Sequence, residues 1–169
     1  MKDLPTRSEA SGADAPDGFL GSYLETLSMV ERLHRLLLDV IKDEFERLGV
    51  IDINPVQALL LFNVGNNVLT AGELKSRGYY QGSNVSYNLK KLVEAGYMHH
   101  ERCSVDRRAV RVRLTERGAQ IRRVVADLFG RHANGIARRD VLPDGRITEI
   151  NADLRALESY WTEQIRYIY

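Results

Sequence analysis

Apolar residues recur at three- and four-residue steps near both ends of the chain, a spacing typical of amphipathic α-helices. Over 19–48 this stripe predicts one long helix, ended by Gly49. A second helix is predicted to begin at 115–118, and a third apolar stripe spans 147–168 with the spacing of a coiled-coil seam. The stripe of the second helix contains Ile121, Val124, Val125, Leu128, Phe129 and Ile136. Long helices are therefore expected on either side of a middle segment.

The middle segment begins with signals for short helices. Asn54 followed by Pro55 is a helix start, and the helix predicted over 56–63 is apolar on most sides, which places it in the core. Val68–Leu69 predicts a short strand. Thr70 is then the expected N-cap of a helix over 71–77, which Gly78 ends.

A polar helix and a basic hairpin complete this segment. The helix is predicted over 83–95 and ends at Gly96, with Val85, Leu89 and Leu92 on one face. Residues 97–103 and 109–114 pair as two strands, and Arg111 and Arg113 alternate with inward-facing Val110, Val112 and Leu114. Three helices around a hairpin make a winged helix. The predicted fold class is therefore mainly α (α+β), a winged helix-turn-helix domain with long N- and C-terminal dimerisation helices.

The expected organisation has four parts. Residues 1–18 form a disordered arm, 19–53 an N-terminal dimerisation helix, 54–120 the winged helix-turn-helix domain and 121–169 the C-terminal dimerisation helices. The terminal helices are more apolar than a small monomer needs, so a homodimer is expected. No apolar run approaches the ~20 residues of a membrane span, and the start of the chain has no signal-peptide core. Together with the single cysteine, Cys103, this favours a cytoplasmic protein without membrane contact.

Net positive charge is concentrated in the middle of the chain. The formal net charge is only +1, yet residues 70–118 hold ten basic and five acidic side chains, a local net of +5. The rest of the chain, with fourteen basic and eighteen acidic side chains, nets −4. A basic segment between acidic flanks favours a polyanion as partner, and an ordinary solvated face is the alternative.

Two sets of residues in this segment resemble the MarR family of bacterial winged-helix transcriptional regulators. The hairpin set resembles the wing of that family and comprises Asp106, Arg107, Arg108, Ala109, Val112, Leu114, Thr115 and Gly118. The helical set resembles its helix-turn-helix and comprises Leu69, Thr70, Glu73, Leu74, Val85, Leu89, Leu92 and 94–97. One departure is the turn over 77–84, which is richer in Tyr and Gly than the usual family segment. The resemblance implies a regulator, most simply a repressor, that binds double-stranded DNA.

The expected DNA contacts lie on the polar helix and the hairpin. Arg108 is expected in the minor groove, held by Asp106, while Arg107 and Arg111 suit phosphates. On the helix, Lys91 is the expected phosphate anchor. The candidates for the major groove are Ser83, Asn84, Ser86, Tyr87, Asn88 and Lys90. A phosphate contact at Thr70 completes the set. In a homodimer, two such helices about one DNA turn apart require a pseudo-palindromic operator.

A small-molecule effector is a further expectation from the resemblance, because family members often carry a pocket between the dimer helices and the DNA-binding lobe. Here its lining would be His34, Leu37, Leu38, Leu60, Phe62 and Phe129. For each of these residues an ordinary place in the core is the favoured alternative.

Other classes of function are less favoured. A winged-helix adaptor that binds protein is one alternative, and a thiol-based redox sensor using Cys103 is another. The histidines lack ligand spacing, so no metal or cofactor is expected. An enzyme is not expected either, since there is no phosphate-cradling loop, paired-carboxylate arrangement or activated nucleophile.

Overall fold

The computed structural model describes residues 16–70, 73, 82–102, 110–143 and 145–168. Helix α1 spans Phe19–Leu48, α2 spans Pro55–Val64 and α3 spans Gly82–Glu94. Strands β1, Leu69–Thr70, β2, Met98–Arg102, and β3, Val110–Leu114, form one antiparallel sheet. The two C-terminal helices are α4, Glu116–Arg138, and α5, Arg146–Ile168. The predicted mainly helical winged-helix fold is confirmed.

Local sequence signals place most of the helix ends. Helix α1 has the predicted bounds, and Gly49 closes it at φ 69°, a left-handed conformation that glycine adopts without strain. Helix α2 starts with a reciprocal capping box, in which the Asn54 side chain accepts from the Gln57 N–H at 2.9 Å and the Gln57 side chain accepts from the Asn54 N–H at 3.2 Å. Thr115 caps α4 by accepting from the Gly118 N–H at 3.1 Å.

The sheet differs from the prediction in one detail. Strand β1 lies one residue later than the predicted 68–69, because Leu69 pairs with Val112 and Thr70 with Arg111. Thr70 is therefore the end of a strand; of the helix predicted after it, only Glu73 lies within the described residues, and it is helical. Strand β3 is central, with β1 on one side and β2 on the other.

The core is built around α2, the helix that the sequence predicts to be central to it. Helix α2 packs against α1 and α4, and its Ala58, Leu61 and Val64 are fully buried. The sheet adds Met98 and Val112, while α3 adds Val85, Leu89 and Leu92. Only the last third of α1 contributes buried residues, and among the described side chains of α5 only Leu157 is half-buried. Within the described residues, no helix is both long and apolar enough to cross a membrane.

Candidate nucleic-acid interface

Helix α3 separates into an anchoring face and an exposed polar face. Val85, Leu89 and Leu92 are at most 4 % exposed, and their i, i+4, i+7 spacing puts them on one side. The opposite side presents Ser86, Tyr87, Lys90 and Lys91 to solvent, with Asn88 half-buried at its border. Tyr87 is 61 % exposed, so its ring and hydroxyl are accessible on this face. The exposed face of α3 therefore carries two lysine side chains and one tyrosine ring.

The two lysines share one carboxylate. Glu94, in the last turn of α3, lies 3.2 Å from the Nζ of Lys91 and 3.8 Å from that of Lys90. The hydrogen bond to Glu94 and the charge of Glu94 raise the pKa of Lys91 above its usual value. The Lys91 Nζ also lies 6.0 Å from the centroid of the Tyr87 ring. Tyr87, Lys91 and Glu94 thus form one row along the exposed face.

The hairpin places further basic residues beside α3. Arg111 and Arg113 are exposed and alternate with buried Val112 and half-buried Leu114 along β3, as the sequence predicts. The antiparallel register pairs Arg113 with His99 and Arg111 with Glu101. The hairpin therefore presents two exposed arginines on β3, and it contacts α3 through β2.

Several predicted contact residues are placed only in part. Thr70, Ser83 and Asn84 belong to β1 and to the first turn of α3. Asp106, Arg107, Arg108 and Cys103 lie outside the described residues, between the ends of β2 and β3. The described strands on either side of residues 103–109 belong to one sheet, and β2 of that sheet contacts α3.

A set of contacts that the sequence did not reveal holds the C-terminal end of α3. The Thr115 N–H donates to the Tyr97 carbonyl at 3.0 Å, and the Thr115 hydroxyl donates to the Gly96 carbonyl at 2.8 Å. Arg117 donates to the Ala95 carbonyl at 2.9 Å, and its guanidinium carbon lies 4.3 Å from the centre of the Tyr97 ring. The first turn of α4 is thus packed against the turn that ends α3.

Asp52 extends this set to the loop between α1 and α2. Its carboxylate forms an ion pair with Arg117 and a hydrogen bond with the Tyr97 hydroxyl. Burial of the Tyr97 ring, together with this bond and the charge of Asp52, raises the pKa of Tyr97 to about 12. No local pattern links position 52 to 117, whereas the i, i+4 spacing of Lys90 and Glu94 was visible in the sequence.

The six candidate effector residues occupy different environments. Leu60 is fully buried, Phe62 and Phe129 pack edge to face at 5.1 Å, and Leu37 packs against the core. His34 is exposed and Leu38 half-buried on α1. A cavity of about 450 Å³ lies elsewhere, at the α4–α5 junction. In the parts of the chain that the structure describes, no group of three or more His, Cys, Asp or Glu could hold a metal ion.

Comparison with known proteins agrees with this geometry. Residues 53–118 match the family model of the winged helix DNA-binding domain. The chain is 38 % identical over 120 residues to the exopolysaccharide II synthesis transcriptional activator ExpG of Rhizobium meliloti (strain 1021). That match covers 68 % of this chain and 62 % of the relative's length.

Two solved structures have the same fold. A MarR transcriptional regulator from Methanosarcina mazei Go1 superposes with a TM-score of 0.64 at 21 % identity, covering 87 % of this chain and 99 % of that one. FabT of Streptococcus pneumoniae in complex with DNA gives a TM-score of 0.63 at 19 % identity, with 84 % and 99 % covered. Residues 53–118 therefore match the winged helix DNA-binding domain, and the chain shares its fold with these two regulators.

Proposed function

We propose that this protein is a transcriptional regulator that binds a pseudo-palindromic DNA operator as a homodimer, with α3 of each subunit as the recognition helix in the major groove. The observation that carries the proposal is the division of α3 into a buried apolar face and an exposed face bearing Tyr87, Lys90 and Lys91. A helix held by one side and basic on the other matches what a recognition helix must present to DNA.

The roles of the side chains follow from their chemistry. Lys90 and Lys91 offer exposed ammonium groups suited to phosphates, while Ser86 and Asn88 are short polar side chains suited to base edges. Tyr87 offers an apolar ring and a hydroxyl on the same helix turn. We assign Arg108, in the segment between β2 and β3, to the minor groove and Arg111 to phosphate. FabT was solved in complex with DNA, which supports the same use of this fold.

The homodimer accounts for the apolar surface of the terminal helices. Leu20 and Leu33 on α1 are 62 % and 59 % exposed, and Ile147 and Ile165 on α5 are 47 % and 60 % exposed. Long stripes of exposed apolar side chains on a helix cost free energy in water unless a partner covers them. A second copy supplies the complementary rows by two-fold symmetry.

Fluorescence anisotropy across a salt series tests DNA binding. The probes are a duplex from the region upstream of the gene and a random duplex of equal length. We expect tighter binding to the upstream duplex and a steep loss of affinity with salt, because phosphate contacts release counterions. Lys91→Ala should reduce the salt slope by about one, whereas Lys42→Ala, which removes an exposed lysine of α1, should leave it unchanged.

Two outcomes of this experiment would contradict the proposal. Equal, weak binding to both duplexes at low salt, repeated with genomic fragments, would reject sequence-specific recognition and favour a protein-binding adaptor. An equal effect of Lys91→Ala and Lys42→Ala would reject α3 as the contact surface. Arg108→Ala tests the hairpin separately and should weaken binding to both duplexes.

The sign of regulation has two candidates. Repression is the simplest consequence of an operator that overlaps a promoter, whereas the relative from Rhizobium meliloti is named a transcriptional activator, which favours activation. A reporter driven by the bound promoter separates the two. Loss of the gene should raise reporter output under repression and lower it under activation.

A further inference from the structure

Arg117 contacts three separate parts of the chain. One guanidinium nitrogen donates to the Ala95 carbonyl just after α3, another pairs with Asp52 in the α1–α2 loop, and the guanidinium plane lies over the Tyr97 ring. Arg117 itself belongs to the first turn of α4. The side chain therefore joins the end of α3 to the connector that leaves α1.

The end of α3 is already attached to α4 without Arg117. The Thr115 backbone N–H and hydroxyl bind the carbonyls of Tyr97 and Gly96. Since these contacts hold α3 on α4, the ion pair with Asp52 adds something different. It adds a restraint between the end of α3 and the α1–α2 connector, beside the packing of α1 and α2 on α4.

Because both side chains of the Asp52–Arg117 pair are about half exposed, the pair acts mainly on the orientation of α3 and little on the free energy of unfolding. The side chains of Arg117 and Asp52 are 52 % and 47 % exposed, and ion pairs of this exposure contribute little to folding free energy. Their geometric effect is larger, because α3, with 13 residues, is about 20 Å long. A rotation of roughly 10° about its C-terminal end displaces the other end by about 3 Å, close to the spacing of neighbouring base pairs.

We propose that Asp52 and Arg117 form a positioning latch that sets the angle of α3 relative to α1, and so selects the operator half-site spacing that a dimer accepts. The selection of spacing rests on the proposed function. The orientation of α3 by the latch does not depend on DNA binding, which allows the two ideas to fail separately.

The first test measures affinity for a set of duplexes that differ only in half-site spacing. Wild-type protein should prefer one spacing, and insertion of two base pairs should lower its affinity at least tenfold. In Asp52→Asn and in Arg117→Gln the ratio of affinities between these duplexes should fall about threefold to fivefold. The ratio cancels the change in net charge, which affects every duplex alike. The double variant should resemble either single variant, since both remove the same contact.

Glu149→Gln is the matched control for the spacing series. It removes another exposed ion pair, Arg146–Glu149 at the start of α5, and should leave the ratio at its wild-type value. A loss of affinity that is equal at every spacing in the Asp52 and Arg117 variants would overturn spacing selection by the latch.

Amide hydrogen exchange on the full chain provides a readout independent of DNA. The Gly96 and Tyr97 N–H groups donate to the Val93 and Leu92 carbonyls at the end of α3. In Asp52→Asn these amides should exchange about fivefold faster while those of α2 stay unchanged. Unaltered exchange would overturn the latch. Faster exchange in a protein whose wild type binds no specific duplex would instead retain the latch and reject the proposed function.

Discussion

Gly118 is the residue whose replacement the structure constrains most directly. A Cβ at this position would lie 2.1 Å from the Tyr97 carbonyl oxygen, which is backbone and already bonded to the Thr115 N–H. We expect Gly118→Ala to lower the free energy of unfolding by about 3 kcal/mol, because the first turn of α4 must move away from the turn after α3. Urea unfolding at a fixed protein concentration measures the change.

Gly130, in the same helix, supplies the control for Gly118. A Cβ added there meets nothing within 4 Å. Gly130→Ala should therefore raise stability by roughly 0.5–1 kcal/mol, the ordinary gain in helix propensity. Equal effects of the two substitutions would contradict the close contact between Gly118 and Tyr97.

Glu44 gives the second prediction at this scale. It is buried on α1 and binds Arg47 at 2.8 Å and Arg131 of α4. The hydrogen bond from Arg47, with that from Arg131 and both charges, outweighs burial and lowers the pKa of Glu44 from 4.5 to about 2. A lowered folded-state pKa contributes stability that is complete above the unfolded pKa and is lost as pH falls towards the folded one.

Glu44→Gln should remove this contribution. The variant should be less stable than wild type by about 1–2 kcal/mol at pH 7, and the difference should shrink between pH 4.5 and 2. Chemical unfolding at a series of pH values measures it. A difference that does not depend on pH would show that the charge of Glu44 is not responsible.

At the scale of elements, Glu94 is expected to moderate the affinity of α3 for DNA. Because it pairs with both Lys90 and Lys91, a phosphate must compete with it for the two ammonium groups. Glu94→Gln should therefore raise affinity about twofold to fivefold, on specific and random duplexes alike, consistent with exposed ion pairs that contribute below ~1 kcal/mol. Anisotropy titrations at constant salt measure the change.

Glu46→Gln is the comparison for Glu94. It removes an acid of equal charge that pairs with Lys42 on α1, so it tests the effect of net charge alone. If both variants bind DNA equally well, the position of Glu94 on α3 has no special effect.

The elements themselves were largely predictable from the sequence. The bounds of α1 and the start of α4 follow from apolar periodicity and from glycine and threonine caps, which are local signals. Strand β1 was displaced by one residue because its register is set by β3, far along the chain. The ion pairs Asp52–Arg117 and Glu44–Arg131 were not predictable either, since residues 65 and 87 positions apart leave no local pattern.

At the scale of the whole molecule, dimerisation should depend on the apolar rows of α1 and α5. Leu24→Asp combined with Ile150→Asp places charges on both rows and should give a monomer that binds DNA at least tenfold more weakly. Sedimentation velocity measures the oligomeric state. Ile51→Asp, at a residue 93 % exposed in the α1–α2 loop, is the control and should remain dimeric. A double variant of unchanged mass would contradict an interface built from these helices.

The central position of β3 has a consequence for the order in which the chain folds. Leu69 of β1 pairs with Val112, which is synthesised 43 residues later. Among the described strands, β1 and β2 each pair only with β3. While the chain is being synthesised, α1, α2 and α3 emerge before any strand has a partner, so we expect the helices to collapse first and the sheet to close late. Residues 69–70 and 98–102 remain exposed edges until residue 114 has emerged, and this interval is when the nascent chain is most open to incorrect strand pairing.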